Sequence, residues 1–209
     1  MASNIKLGSP VYVAHSETER AAFTSEFVSA GFKLSGVIIW KKNTLVMGRS
    51  DYQWMHEPIL YGWLDGAAHA WYGGRRRTTV QEIMSSTGME PLDGGKRYLI
   101  MTADRAFTVD ADAVAEEVET TIILEKKPNV SKDHPTMKPV ALIERMLVNS
   151  ARRGDIVLDP FGGSGSTLIA AERLGLRARL IELDPIYCDT IVKRWEDYTG
   201  KTANVRRAG

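Results

Sequence analysis

The chain has 209 residues, enough for one sizeable core or one core with a small insert. Apolar residues make up 44% and charged residues 25%, an ordinary globular composition, and no apolar run approaches the roughly 18 residues that a membrane span needs. The lone cysteine, Cys188, excludes an internal disulfide and a multi-cysteine zinc site and fits a reducing cytoplasm, while a net charge of +1 confines any nucleic-acid surface to local patches.

Three zones follow along the chain: 1–64, 65–133 and 134–209. In the first, Val11–His15 reads as a short buried strand. Glu19–Ala30 reads as a helix with Phe23 and Phe27 one turn apart, stopped by Gly31. Leu34–Trp40 is a second strand. Pro58–Tyr61 is a third, after a polar loop holding Arg49, Asp51, Tyr52 and His56. The second zone is rich in glycine and charge, and its strand candidates are Lys96–Met101 with Ala106–Val109 as a hairpin, then Thr120–Leu124. It has little helical periodicity and reads as an inserted, mostly β or irregular lobe.

The third zone is the most regular. Pro139 suits a first helical turn, and Val140, Ile143, Met146 and Leu147 follow at helical spacing. Asp155–Asp159 is a strand, Thr167–Leu174 a helix ended by Gly175, and Ala178–Glu182 a second strand. Asp184-Pro185 starts a last helix that runs to about Tyr198. Strand, glycine turn, helix, strand is a parallel βαβ unit.

The glycine turn is Asp159-Pro-Phe-Gly-Gly-Ser-Gly-Ser-Thr167. Its glycines permit a sharp reversal and close approach of a ligand to the backbone. The dinucleotide fingerprint G-x-G-x-x-G is not met, because Leu168 stands where the third glycine belongs. Glu182 follows Asp159 by 23 residues, at the end of the next strand, where a carboxylate accepts the ribose hydroxyls of a nucleoside. Asp159 suits a cationic or amine-bearing ligand. S-adenosylmethionine has a nucleoside, an amine and a positive centre, and no phosphate. The alternative is a plain tight βα turn.

These strings carry a family resemblance. Asp159–Gly165 resembles motif I of the amino-methylating (N6-adenine or N4-cytosine) DNA methyltransferases, and Ile181-Glu-Leu-Asp-Pro185 resembles their motif II. His134-Pro-Thr-Met-Lys-Pro139 resembles the motif that precedes motif I, and Gly48–Trp63 is similar to the segment after the catalytic motif. The order resembles the permuted β class. The resemblance implies an α/β, Rossmann-like S-adenosylmethionine-dependent methyltransferase sheet, with 65–133 as a target-recognition-like lobe. It implies that Asp159, Phe161, Gly162, Gly163 and Gly165 shape the methionine side of the cofactor pocket. Ser166 and Thr167 line the helix start, and Glu182 holds the ribose. Thr136 and Lys138 lie beside the cofactor carboxylate, unless they are a capping threonine and a solvated lysine. Asp184 reads as a helix cap rather than a ligand. Cys188 is not placed as a nucleophile, and no metal site is expected.

The family's catalytic motif, a polar residue, two prolines and an aromatic, has no match. The nearest string, Ser9-Pro-Val-Tyr12, has one proline and opens directly into a strand. No catalytic residue is therefore assigned. The expectation is an incomplete sheet: a C-terminal portion of a methyltransferase, completed by an N-terminal chain or a second copy, or degenerate. The expected partner is double-stranded DNA, with no membrane association. Arg75, Arg76 and Arg77, flanked by Trp71 and Tyr72, are the densest basic run and suit phosphate contacts with an aromatic for stacking, against a merely solvated loop. Arg49 and Tyr52 are further DNA candidates, and His56 reads as structural. The competing functions are a non-catalytic cofactor- or DNA-binding module and a nucleotide-dependent oxidoreductase.

Overall fold

A computed structural model of the protein describes residues 2–47, 49, 51–75, 77–84, 89–92, 97–101, 106–110, 122–124 and 137–204. The chain divides into two compact units, one of residues 1–69 and 76–127, the other of 70–75 and 128–209.

The first unit is built on a five-stranded sheet. β1 (Pro10–Ala14) and β2 (Phe32–Val46) both lie antiparallel to β3 (Trp54–Leu64), so they run parallel to each other on either side of it. α1 (Arg20–Ser29) ends at Ala30, and Gly31 turns the chain at φ 88° into β2. Phe27 is the buried residue of α1, packing with Val11, Phe32 and Leu60, whereas Phe23, one turn earlier, is exposed and stacks on His15. Faces alternate along β3: Leu60 joins that cluster, while Tyr61 on the opposite face stacks on Tyr12 at 4.9 Å. Burial pushes the Tyr61 phenol above its ordinary pKa.

Sequence and structure differ over the lengths of β2 and β3. The apolar runs predict strands at Leu34–Trp40 and Pro58–Tyr61, yet pairing continues through Trp40 with Glu57 and Lys41 with His56. His56 therefore lies within β3, not in the polar loop. Backbone hydrogen bonding carries a ladder past the point where side-chain burial stops, and alternation marks only the buried part.

From 65–133 come β4 (Val80–Met84), β5 (Met89–Leu92), β6 (Arg97–Met101), β7 (Ala106–Asp110) and β8 (Ile122–Leu124). β4 pairs parallel with β2, and β8 parallel with β4, giving the order β1-β3-β2-β4-β8. β5, β6 and β7 form a separate antiparallel meander that contains the expected hairpin.

The second unit follows the sequence pattern closely. α2 (Val140–Ser150) starts after Pro139 and buries Ala141, Leu142 and Met146. β9 (Ile156–Asp159) leads through the glycine turn into α3 (Ser166–Leu174), and β10 (Arg177–Leu180) pairs with β9 in parallel. α4 (Pro185–Thr199) is capped by Asp184, whose Oδ1 accepts from the Ile186 N–H at 2.8 Å. Gly175 and Gly200 end α3 and α4 in the left-handed conformation. Among the described residues β10 is the only strand paired with β9. Its apolar residues are only partly covered, with Ile156 57% exposed, although a central parallel strand is normally buried on both faces. Among the described residues no helix is long and apolar enough to cross a membrane, and no group of three or more His, Cys, Asp or Glu could hold a metal.

Leu60 is fully buried. Leu60→Ala should lower unfolding free energy by about 2–5 kcal/mol, the usual cost of a leucine-sized cavity that cannot collapse. Urea titration would show it as a lower midpoint. An unchanged midpoint would place the stabilising core elsewhere.

Candidate functional site

The site forms where β9 and β10 end. Ile181 N–H donates to the Asp159 carbonyl and Gly162 N–H to the Ile181 carbonyl, both at 2.9 Å, so pairing continues one step past the strands. The chain then reverses over Gly163 and Gly165, at φ 53° and 80°. At Gly165 a side chain meets two obstacles: the left-handed backbone, and the Ile191 side chain of α4, 3.2 Å from where a Cβ would stand. The glycine is thus required by internal packing, independently of any ligand.

Two carboxylates fix the turn. Asp159 Oδ1 accepts from Phe161 N–H at 3.0 Å, and Oδ2 accepts from the Thr167 hydroxyl at 2.6 Å. One side chain therefore ties the end of β9 to the first turn of α3. Glu182 does the same from just past β10: Oε2 accepts from Gly163 N–H at 2.7 Å, and Oε1 from Leu183 and Asp184 N–H at 2.9 and 3.0 Å. These three N–H groups are partners that the sequence could not reveal. Ser166 Oγ donates to the Lys138 carbonyl at 2.7 Å, which brings the end of the His134–Pro139 segment against the start of α3. Ser166 is buried, while Thr167 and Lys138 are half-buried. Thr136, with His134, lies outside the described residues.

Apolar surface surrounds this frame. Phe161 is 86% exposed and Leu183 96%, and both follow directly on the strand ends. Exposed apolar side chains beside buried glycines and two carboxylates make a surface suited to a ligand with a flat apolar face, hydroxyls and a positive centre. Cys188 Sγ lies 3.7 Å from the Glu182 carbonyl, so the thiol packs behind the acidic residue.

The DNA candidates fall in both units. Arg49 and Tyr52 are exposed in the loop between β2 and β3, Tyr52 at 91%. His56, inside β3, sits 3.5 Å from Glu17, which also pairs with Arg20 at 2.6 Å, consistent with its structural reading. Arg75 is exposed and Arg77 half-buried, and Arg76 lies outside the described residues.

A parallel pair with a glycine turn at its carboxyl end and an acidic residue just past the next strand is an arrangement found in Rossmann-like sheets. The model of the N6/N4 methyltransferase family, described as DNA methylase, matches residues 8–193, and the chain belongs to that family. It is similar to the type II methyltransferase M2.DpnII of Streptococcus pneumoniae, 40% identical over 81 residues that cover 39% of this chain and 30% of that protein. Likewise, the type II methyltransferase M2.LlaDCHI of Lactococcus lactis subsp. cremoris is 35% identical over 79 residues, 38% of this chain and 29% of that one. The chain thus spans under a third of the length of these relatives in the matched region. Among solved structures, the fold is similar to M1.HpyAVI in its SAM complex, with TM-score 0.59, 22% identity, and 91% of this chain and 76% of that chain covered. It is similar also to the cytosine-N4-specific PvuII DNA methyltransferase, with TM-score 0.57, 14% identity, and 91% and 65% covered.

Glu182→Gln keeps the side chain's size but turns one acceptor oxygen into a donor, leaving a donor facing a backbone N–H. Amide exchange at Gly163 should accelerate by tenfold or more, about 1.4 kcal/mol of lost local protection. Unchanged exchange in Glu182→Gln would show that another group holds the turn.

Proposed function

We propose that this chain is the S-adenosylmethionine-binding portion of a site-specific DNA amino-methyltransferase that modifies adenine N6 or cytosine N4. The observation that carries the reading is the glycine turn held between Asp159 and Glu182 at the carboxyl end of a parallel pair, in a chain of the DNA methylase family. S-adenosylmethionine, when bound, supplies the methyl group. The chain's own residues do the holding.

Glu182 is the ribose acceptor in this reading. Its oxygens already take three backbone N–H groups, so a ribose hydroxyl must replace the Gly163 N–H or share Oε2 with it. Gly162, Gly163 and Gly165 line the approach, and Phe161 and Leu183 supply apolar contact. Asp159 acts through Thr167 and Phe161 N–H, keeping the turn open to the ligand. Ser166 and Lys138 form the far wall, toward the amino-acid end of the cofactor, and the family resemblance assigns Thr136 a role beside the cofactor carboxylate. Arg49, Tyr52 and the run Arg75, Arg76 and Arg77 are the DNA contacts of this reading, with β5–β7 serving target recognition.

The half of the reaction centre that grips the target amine is supplied from outside these 209 residues, by an N-terminal polypeptide. Two facts support this: no Pro-Pro-aromatic string occurs in the sequence, and β9 has one strand partner among the described residues. The missing string also favours a second reading, a non-catalytic module that binds cofactor and DNA. An oxidoreductase is disfavoured by Leu168 in place of the third fingerprint glycine.

Titration calorimetry of the 209-residue chain should show binding of S-adenosylmethionine and none of NAD. Glu182→Ala should weaken that binding at least tenfold, about 1.4 kcal/mol or more. Methyl transfer to DNA should be absent for the chain alone and appear when a polypeptide bearing an Asp/Asn/Ser-Pro-Pro-aromatic segment is added. Turnover by the chain alone would sink the claim of a missing half. Binding that never becomes turnover under any complementation would favour the binding module.

A further inference from the structure

The second unit carries a basic surface at the end of β9 and β10 opposite the glycine turn. Residues 70–75 belong to this unit, and two contacts hold them to the end of α2: Tyr72 N–H donates to the Asn149 carbonyl at 2.7 Å, and the Arg152 guanidinium stacks 3.8 Å over the Tyr72 ring. Gly73 is needed there, because a Cβ would stand 2.5 Å from Asn149 Oδ1. Trp71 Nε1 donates to the Gly74 carbonyl at 2.6 Å, which closes the loop and delivers the chain to Arg75.

Three arginines gather at this junction, and a fourth is carried into the same unit by the loop. Arg75 follows the docked loop. Arg152 and Arg153 lie between α2 and β9. Arg177 starts β10 opposite Ile156 and donates from Nε to the Gly154 carbonyl at 2.9 Å. Arg153 is close by, because its side chain packs at Gly175. All four are exposed, and none forms an ion pair with a carboxylate among the described residues. Arg173 of the same unit, by contrast, pairs with Glu144 at 3.3 Å. The acidic residue at the junction, Asp155, is turned to the Arg152 backbone N–H at 2.8 Å.

Unneutralised, exposed guanidinium groups around a stacked tyrosine are the chemistry of phosphate-backbone contact. The four residues of β9 separate this surface from the glycine turn by about 13 Å. A duplex positioned only by the target base at the carboxyl end would not need it. We infer that Arg75, Arg152, Arg153 and Arg177 form a second nucleic-acid phosphate contact, separate from the target-base site, with Tyr72 as the platform that fixes Arg152. The inference rests on the DNA-methyltransferase reading and assigns it an additional stretch of bound duplex.

The test uses the 209-residue chain and a 30-base-pair duplex. The triple variant Arg75→Ala/Arg153→Ala/Arg177→Ala should lose at least tenfold in affinity at about 0.1 M salt. The slope of log K against log salt should flatten by roughly 2–3, since each neutralised phosphate contributes about 0.9. The corresponding triple lysine variant should keep most of the affinity and slope, which a folding defect would not. S-adenosylmethionine binding should be unchanged in both, because the surface lies away from the turn. Wild-type affinity and slope in the alanine variant, or no duplex binding by the parent chain, would overturn the inference. Absence of S-adenosylmethionine binding by the parent chain would instead refute the cofactor reading, while the duplex measurements would still decide this one. Binding of the surface to an acidic peptide in preference to duplex would also overturn it.

Discussion

The candidate site depends on a pair of carboxylates that hold a glycine turn from both sides. A strand that ends at Asp159 and re-enters a helix at Ser166 must place Gly163 and Gly165 in left-handed conformations. Glycine adopts these angles freely, but the N–H groups of Phe161 and Gly163 still need acceptors. Asp159 and Glu182 supply the missing acceptors, and Ile191 blocks the alternative of filling the turn with side chains. Charge placed against several N–H groups makes short, strong bonds, so the turn keeps its shape without a ligand. The bonds that hold the turn and the surface it presents come from the same residues.

That coincidence explains which parts of the site were legible in the sequence. The Asp159–Thr167 string, Glu182 and the Asp184 cap are side-chain features at short range, and each carries its own local chemistry. The helices of 137–204 were legible for the same reason, with Asp184 and Pro185 at a start and Gly175 at an end. What Glu182 binds was not legible, because its partners are backbone N–H groups that every residue type carries. Nor does the sequence show that Ser166 reaches the Lys138 carbonyl, 28 residues back.

In the first unit the reverse holds. Apolar alternation identified the buried middles of β2 and β3 but not their extensions, where pairing runs through Lys41 and His56. The parallel joins of β4 to β2 and of β8 to β4 are long-range decisions of the sheet, made without a glycine motif or cap to announce them. The Tyr72–Arg152 stack is of the same kind, since two unremarkable residues 80 positions apart create a surface that neither suggests alone.

That stack also bears on how the gene can be divided. The polypeptide passes from the first unit to the second at 69–70, returns at 75–76, and crosses again at 127–128. Six residues in the middle of the chain therefore belong to the second unit. A recombination event or an engineered graft that exchanged only residues 128–209 would leave Arg152 without Tyr72 beneath it and the Asn149 carbonyl without its donor. The module inherited as a whole is discontinuous, and the short segment 70–75 has to travel with it.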